Sequence, residues 1–272
     1  MQDIALKLGR IAMIGGGKMG EAIIAGLVNG ALFDPDTVVV AEPEKSRRDY
    51  LETTYGIKAV AEGGMIRHPN TAIIAVKPQM LRDIAIGLRQ ESDFDPKRII
   101  SIAAGVTTQT LCELFEDTHV IRVMPNTPLM VGAGMSAVAV AEMTPRSEGD
   151  LACELFSMMG EAVLLDEAQL NAATAINGSG PAYFALFVRE LTTAGIDVGL
   201  DPEQANKLAV QTLVGTSRYL ELTGESPQHL MDIVTSPNGT TQAALESFAA
   251  DGLGAIVKRA VEAAVRRAEE LA

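Results

Sequence analysis

Short apolar segments alternate with longer amphipathic ones from residue 1 to about residue 165. Several of the short segments are apolar at every position, which is typical of strands that are covered on both faces. Helical patterns lie between the early segments, so this half of the chain predicts βαβ units and a mainly parallel sheet. The predicted strands are Arg10–Gly15, Thr37–Ala41, Ala72–Val76, Arg98–Ile102, Val120–Met124, Met135–Ala141 and Ala162–Leu165.

The strand pattern stops at Leu165, and the rest of the chain follows a helical pattern. Segments rich in Gly, Pro and Asn interrupt it and predict the breaks between helices. These breaks are expected at Asn177–Pro181, Gly199–Pro202, Gly224–Pro227 and Ser236–Gly239. The chain is therefore predicted to consist of an α/β domain over residues 1–165 and an all-α domain over residues 166–272.

The helical half carries more apolar surface than a single layer of helices would expose to water. The segment Ala205–Val214, for example, is mostly Ala, Leu and Val. Large apolar patches mark interfaces, so we expect these helices to form a homodimer, with a larger assembly of dimers left open. The alternative is that they pack only on the N-terminal domain.

The composition narrows the class of protein. No run of about 18 apolar residues occurs, so no transmembrane helix is expected. A formal net charge of −13 and the absence of tryptophan argue against a nucleic-acid partner. Cys112 and Cys153 form no paired motif, which favours free thiols in a reducing, cytoplasmic compartment. The first apolar segment runs directly into a glycine-rich turn, which favours a buried strand over a signal peptide.

That turn is Gly15–Gly20, with the sequence GGGKMG, and it fits the pattern G-x-G-x-x-G. The first glycine permits a tight turn, Gly17 lets the backbone approach a pyrophosphate, and Gly20 lets strand and helix pack closely. The following predicted helix, Glu21–Asn29, offers N–H groups and the positive end of its dipole to the anion. The position between strand and helix indicates a Rossmann-type dinucleotide-binding domain rather than an ordinary glycine turn.

Glu42 ends the second predicted strand, about 20 residues beyond the last glycine of the motif. A carboxylate at this spacing can bind the 2′-hydroxyl of the adenosine ribose, which would favour NAD(H). The basic segment Lys45–Arg48 follows and could instead hold the 2′-phosphate of NADP(H). It could equally be a solvated helix start, so NAD(H) and NADP(H) both remain open as the cofactor.

Three further loops follow predicted strands and should lie at the same edge of the sheet. They are Lys77-Pro78, Ser101–Gly105 and Met124–Pro128. Ligands bind at the carboxyl ends of the strands in open α/β sheets, and small residues there suit close approach of a nicotinamide. Taken singly, each loop is also explained as an ordinary strand-to-helix turn.

Together, these motifs resemble the pyrroline-5-carboxylate reductase family, which catalyses the last step of proline biosynthesis. The resemblance covers nearly the whole chain, and two motifs in the helical half would not occur in a generic dinucleotide-binding protein. The matching segments are IGGGKMG at 14–20, AVKP at 75–78, SIAAGV at 101–106, RVMPNTP at 122–128, NGSGPAY at 177–183 and SPNGTTQAAL at 236–245. The resemblance implies NAD(P)H-dependent reduction of the cyclic imine 1-pyrroline-5-carboxylate to L-proline, with hydride transfer from nicotinamide C4 to the imine carbon.

The resemblance also implies the site residues, position by position. The cofactor would be bound by Gly15, Gly17, Lys18, Met19, Gly20, Ala75, Val76, Lys77, Pro78, Ala103, Ala104, Asn126 and Thr127. Glu42 is added from its spacing to the glycine motif, since it is not a fixed feature of the family. The substrate would lie against Glu167, Gly239, Thr240 and Thr241, and no metal is implied. Two positions depart from the family pattern: Asn177 stands where Ser is usual, and Asn238 replaces the first Gly of SPGG. Asn tolerates the left-handed backbone conformation, so the second turn can survive.

The substrate motif suits a carboxylate-bearing imine on its own chemistry. A turn at Pro237–Gly239 precedes a predicted helix, so the N–H groups of Gly239, Thr240 and Thr241 would form an anion site. A threonine hydroxyl there could hydrogen-bond the ring nitrogen, and the resemblance to the family makes Thr241 the predicted catalytic residue. The alternative is that both threonines only cap the helix. A protonated iminium needs no strong acid residue, since the cofactor supplies the hydride and the protein orients the reactants.

Two other functions fit part of the sequence. β-Hydroxyacid dehydrogenases have a similar opening motif but carry a catalytic Lys on a helix after a second Gly-rich motif, whereas residues 177–191 contain no Lys. A non-catalytic dinucleotide-sensing protein is the other alternative. The altered Asn177 and Asn238 would be its evidence, although Thr241 is retained.

Overall fold

An eight-stranded sheet with the order β3-β2-β1-β4-β5-β6-β7-β8 organises the first part of the chain. The computed structural model describes residues 2–29 and 33–271. Neighbouring strands from β3 to β6 are parallel, β7 is antiparallel to β6, and β8 is parallel to β7. The strands are β1 Ile11–Ile14, β2 Val38–Ala41, β3 Lys58–Val60, β4 Thr71–Ile74, β5 Arg98–Ser101, β6 His119–Met124, β7 Gly134–Val140 and β8 Gly160–Leu164.

The central strands are apolar because both faces of the sheet are covered. Along β1, Ile11 and Met13 belong to one buried cluster, and Ala12 and Ile14 belong to a second cluster. Successive side chains of a strand point to opposite faces, so each cluster fills one side of the sheet. The prediction of a mainly parallel, doubly covered sheet is confirmed.

Within the described residues, seven α-helices accompany this sheet and connect most of its strands. They are α1 Gln2–Leu8, α2 Lys18–Asn29, α3 Lys45–Tyr55, α4 Pro78–Arg89, α5 Thr108–Leu114, α6 Arg146–Phe156 and α7 Leu170–Ala173. The strand order reverses between β1 and β4, which is the switch point of a dinucleotide-binding sheet. None of the helices in residues 2–29 and 33–271 is long and apolar enough to cross a membrane.

Two elements of this part were not predicted from the pattern. The strand β3 has three residues with a mixed burial pattern, and pairing with β2 rather than a local apolar run defines it. The helix α1 precedes the first strand, and its residues Ile4 and Leu8 are buried in the core.

The remainder of the chain is helical, as predicted. Its helices are α8 Gly180–Asp197, α9 Pro202–Thr223, α10 Pro227–Val234, α11 Thr240–Ala250 and α12 Leu253–Leu271. Residues Gly180–Ala264 form one compact unit, and the chain through Ser179 forms the other together with the segment from Val265. The division of the sequence after residue 165 stays a prediction.

Three of the four predicted breaks separate consecutive helices, whereas the break predicted at Asn177–Pro181 is wrong. At Asn177–Pro181 the chain stays helical, because a π-helical turn over Thr174–Gly178 leads into α8. The N–H of Ser179 bonds to the carbonyl of Thr174 at 3.0 Å, which accommodates the extra residue. Pro181 lies in the first turn of α8, where its missing N–H costs no hydrogen bond.

Candidate active site

A cavity of about 600 Å³ opens at the carboxyl ends of β1, β2, β3 and β4, next to the switch point of the sheet. This is the edge at which open α/β sheets bind their ligands. Of the predicted cofactor residues, the cavity brings together Gly15, Gly17, Glu42, Ala75, Val76 and Lys77. Residues that the sequence did not single out complete the lining, among them Glu62, Met80, Ile84 and Glu91.

The glycines of the turn differ in what surrounds them. Gly15 has a φ of +104°, and a Cβ there would lie 2.6 Å from the carbonyl oxygen of Ala75. A Cβ on Gly20 would overlap the carbonyl oxygen of Gly15, so only glycine lets α2 start this close to β1. Beside Gly17, by contrast, no atom of the described residues lies within 4 Å of a Cβ. The space beside Gly17 is therefore open for a group to approach the backbone.

Glu42 is held against this turn. Its Oε2 accepts a hydrogen bond from the N–H of Gly16 at 3.0 Å, and its Oε1 accepts one from the N–H of Glu44 at 3.0 Å. Both bonds are charge-assisted, which fixes the carboxylate at the end of β2. Glu42 is half-buried and lines the cavity.

Arg47, in the basic segment after Glu42, supports the turn from outside the cavity. Its Nε donates to the carbonyl of Gly16 at 2.6 Å, and its Nη2 bonds to Glu21 at 2.5 Å. Glu21 also accepts hydrogen bonds from Tyr50 and Tyr55. Burial and the bond to Glu21 raise the pKa of Tyr55 to about 12. Burial opposes ionisation of Glu21, but the hydrogen bonds from Arg47 and the two tyrosines outweigh it and lower the pKa of this carboxyl.

The other predicted cofactor residues lie near the same sheet edge but do not line the cavity. Lys18, Met19 and Gly20 form the first turn of α2, and Pro78 starts α4. After β5, Ala103 is buried and Ala104 is exposed; after β6, Asn126 is buried and Thr127 is exposed. The cofactor roles of these residues stay predictions.

The side chain of Asn126 belongs to the scaffold. Its Nδ2 donates to the carbonyl of Asn177 at 3.1 Å, and its Oδ1 accepts from the N–H of Met135 at 2.9 Å. Asn177 in turn donates to the carbonyls of Met124 and Met135 at 2.8 and 3.0 Å. The two amides tie the π-helical turn to β6 and β7.

Glu167 is part of an ion pair that the sequence analysis missed. Its Oε1 accepts a hydrogen bond from Arg122 at 2.7 Å and another from the N–H of Thr108, at the start of α5, at 3.2 Å. Arg122 is 5% exposed, and the Oε2 of Glu167 is buried with no hydrogen-bond partner among the described residues. An arginine inside an apolar strand was the available signal, because such a buried charge requires a partner.

The substrate motif forms the start of α11 in the second unit. Asn238 has a φ of 58°, so it adopts the left-handed conformation predicted for it. Gly239 is the N-cap residue, and its N–H is taken by the carbonyl of Ser236 at 3.0 Å. This N–H is therefore engaged within the turn, and the role of Gly239 in substrate binding stays a prediction. Thr240 is exposed and Thr241 is half-buried, and neither hydroxyl has a hydrogen-bond partner among the described residues.

Two family models match the chain. The model described as pyrroline-5-carboxylate reductase dimerisation matches residues 167–271. The model described as NADP oxidoreductase, coenzyme F420-dependent, matches residues 10–105. The first match covers the helical half, and the second covers the part that builds the cavity.

Individual proteins resemble the chain over nearly its whole length. The pyrroline-5-carboxylate reductase of Synechocystis sp. is 38% identical over 263 residues, which cover 96% of this chain and 98% of that protein. The solved structure of a pyrroline-5-carboxylate reductase from Coxiella burnetii is 30% identical with a TM-score of 0.92, and the match covers 97% of this chain and 99% of that one. A Plasmodium falciparum pyrroline carboxylate reductase crystallised with NADP bound is 26% identical with a TM-score of 0.82, covering 97% and 98%.

Proposed function

The chain belongs to the pyrroline-5-carboxylate reductase family, and from this premise we propose how its residues reduce 1-pyrroline-5-carboxylate to L-proline with NAD(P)H. The observation that supports the cofactor site is the cavity at the switch point, where Gly17 leaves its backbone open to a ligand. The likeness over the whole chain does not favour a β-hydroxyacid dehydrogenase or a non-catalytic sensing protein.

The glycine turn fits a pyrophosphate. Gly15 and Gly20 keep the backbone of β1 and α2 close together, and the first turn of α2 presents N–H groups that have no intrahelical partner. These groups and the helix dipole stabilise a phosphate without a charged side chain. Val76 and Lys77 continue the same binding surface after β4.

Thr241 and Glu167 are the residues that we assign to the substrate. The N–H groups of Thr240 and Thr241 lie in the first turn of α11, where the helix dipole favours the carboxylate of the imine. The Thr241 hydroxyl orients the ring nitrogen, either as donor or as acceptor. Glu167 borders the substrate, and Arg122 holds its side chain in place.

The reaction needs few groups from the protein. A bound dinucleotide supplies a hydride to the imine carbon, and the ring nitrogen carries the proton, so the C=N bond becomes an amine. The protonated iminium is already electrophilic, so the protein contributes mainly by holding the imine and the nicotinamide in a reactive orientation. The residues that we assign to the substrate are consistent with this modest requirement, since they offer a threonine hydroxyl, backbone N–H groups and one paired carboxylate.

The protein acts as a homodimer formed through the C-terminal helices, consistent with the dimerisation family matched over residues 167–271. We assign it to the cytoplasm. The support is that Cys112 and Cys153 are free thiols, as expected in a reducing compartment. Burial raises the pKa of both thiols, so they are poor nucleophiles and structural rather than reactive.

The test is the loss of reduced-nicotinamide absorbance with purified protein, with and without pyrroline-5-carboxylate. Imine-dependent oxidation of NADH or NADPH, with proline as the product, is the expected result. Folded protein that binds dinucleotide but oxidises neither cofactor in the presence of the imine would overturn the assignment.

A further inference from the structure

The end of β2 carries the features that decide between the two nicotinamide cofactors. Glu42 lines the cavity together with Gly15 and Gly17 and lies at the position where a dinucleotide fold meets the adenosine ribose. Two backbone N–H groups hold its carboxylate there. An ionised carboxylate has about four acceptor sites, so it can accept a ribose hydroxyl while it keeps both of these bonds.

The two arginines that follow Glu42 already make hydrogen bonds within the protein, and those of Arg47 engage both its Nε and its Nη2. Arg47 bonds to the Gly16 carbonyl and to Glu21, stacks over the Tyr50 ring at 5.1 Å, and is only 24% exposed. Arg48 donates from Nη1 to the carbonyls of Glu42 and Pro43 at 2.8 and 2.7 Å. To reach a phosphate, Arg47 would have to leave a half-buried carboxylate without its partner, which is costly.

The charges around the cavity also disfavour binding of a 2′-phosphate. Within the described residues, its lining includes the carboxylates of Glu42, Glu62 and Glu91 and one cation, Lys77. Arg67 lies 3.9 Å from Glu91 but pairs more closely with Asp93, at 3.0 Å, which is not part of the lining. A phosphate monoester at neutral pH brings about −1.5 to −2 charges, so the 2′-phosphate of NADPH would enter a negative field.

We infer that this enzyme selects NADH over NADPH and that Glu42 is the residue that sets the preference. The inference rests on the proposed function, whose cofactor it specifies. The Glu42 carboxylate accepts a hydrogen bond from the 2′-hydroxyl of NADH and repels the 2′-phosphate of NADPH. A hydrogen bond to a charged group contributes about 1.5–3 kcal/mol, which corresponds to roughly 10- to 100-fold in affinity.

The experiment measures Kd for NADH and for NADPH by nicotinamide fluorescence, on the full-length protein and without imine. The wild type should bind NADH at least about tenfold more tightly. Glu42→Gln keeps the shape of the side chain, removes its charge and retains one of the two bonds from backbone N–H groups. NADH binding should therefore weaken and NADPH binding should strengthen. Added salt should narrow the wild-type preference, because screening weakens the repulsion of the phosphate.

Two variants separate specificity from support of the glycine turn. Glu44→Gln removes a neighbouring exposed carboxylate outside the cavity and should leave the ratio of the two Kd values unchanged. Arg47→Met should weaken both dinucleotides alike, since Arg47 supports the turn and does not reach the ribose. A selective loss of NADPH binding in this variant would place Arg47 on the phosphate and overturn the inference.

Two further results of the binding experiment would contradict the inference. Wild-type protein that binds NADPH as tightly as NADH, or Glu42→Gln protein in which both affinities fall by the same factor, would contradict the inference. The latter result would reduce Glu42 to a structural role. The dinucleotide affinities are measured without imine, so their ratio tests the role of Glu42 independently of the reaction. A failure of imine-dependent turnover would count against the proposed reaction only.

Discussion

Arg98 and Glu148 form a buried ion pair in the α/β unit, where a single unpaired charge would be costly. Their side chains are 4% and 9% exposed, and the Nε of Arg98 lies 2.6 Å from the Oε2 of Glu148. Arg98 also donates to the carbonyl of Lys7 and to the hydroxyl of Thr71. Through these bonds the pair joins α1, β4, β5 and α6.

Removing the Glu148 charge should destabilise the fold and change its pH dependence. Burial alone would raise the pKa of Glu148, but the hydrogen bond and charge of Arg98, with Lys97 and His119 nearby, lower it below the usual 4.5. The unfolded chain then binds the proton more readily, so the contribution of this carboxylate is complete above pH 4.5 and is lost as the pH falls through the folded pKa. Glu148→Gln should lower the unfolding free energy at neutral pH by about 3 kcal/mol and flatten its decline in acid.

Denaturant unfolding at a series of pH values measures both effects. Glu154→Gln, an exposed change on the same helix, is the control and should behave like the wild type. An acid limb of equal slope in wild type and Glu148→Gln would show that the ion pair does not control the acid sensitivity.

Thr241 is the residue on which the proposed chemistry depends most directly. Thr241→Ala should lower kcat/KM for the imine by about 10- to 100-fold, roughly 1.4–2.7 kcal/mol, with little change in dinucleotide Kd. Thr241→Ser keeps the hydroxyl and should retain most of the activity. Wild-type turnover in the alanine variant would remove Thr241 from the mechanism, and equal losses in both variants would assign its effect to packing of the methyl group.

At the scale of the element, the turn between β1 and α2 combines a packing requirement with a binding requirement. The surroundings of Gly15, Gly17 and Gly20 distinguish the packing requirement from the binding requirement. Gly15 and Gly20 are confined by backbone atoms, whereas Gly17 faces open space. The same motif therefore contains two positions that the fold requires and one, Gly17, that we propose serves the ligand.

Alanine substitutions should distinguish these roles. Gly20→Ala forces a Cβ against the Gly15 carbonyl and should cost about 1–3 kcal/mol of stability, as overpacked sites do. Gly17→Ala should leave Tm nearly unchanged but raise the dinucleotide Kd at least about tenfold, because the methyl group occupies the space of the approaching pyrophosphate. Thermal unfolding and fluorescence titration give the two readouts. Unaltered affinity in Gly17→Ala would refute close approach at this position.

At the scale of the whole molecule, the second unit exposes apolar side chains that a monomer would leave in water. Phe184 on α8 is 60% exposed and Leu208 on α9 is 57% exposed, although these helices pack against each other. Other exposed apolar residues of this unit are Leu186, Phe187, Leu191, Val210, Val214, Leu222, Ile233 and Val234. Burial of this surface between two copies explains why a dimerisation family matches this part of the sequence.

Light scattering after size exclusion should therefore give about twice the chain mass of 28.7 kDa, or a multiple of that dimer. Leu208→Glu places a charge in the apolar surface and should shift the protein toward the monomer. The control is Met143→Glu, since Met143 is 90% exposed in the α/β unit. Dissociation by the Met143 variant, or none by the Leu208 variant at low concentration, would contradict dimerisation through this surface.

The sequence was sufficient where the signal was local and periodic. The strands β1, β2 and β4 are apolar at nearly every position because the sheet is covered on both faces, so their pattern could be recognised. The glycine turn and the start of α11 were likewise predicted, since the backbone conformation of Gly15 and Asn238 restricts the residues allowed there. The family followed from short motifs, because their residues meet specific requirements of backbone and ligand.

The tertiary structure decided which charged side chains are paired within the protein and which remain available to a ligand. Arg122 and Glu167 are 45 residues apart in the chain, and Arg47 and Glu21 are 26 apart. A pattern of hydrophobic and polar positions carries no information on such contacts, since folding alone brings these groups together. The short strand β3 and the continuous helix through Asn177 depend on the same kind of distant contact, with β2 and with Met124. The sequence therefore determined the architecture and the reaction, whereas packing decided the position of Arg47 and which charges surround the end of β2.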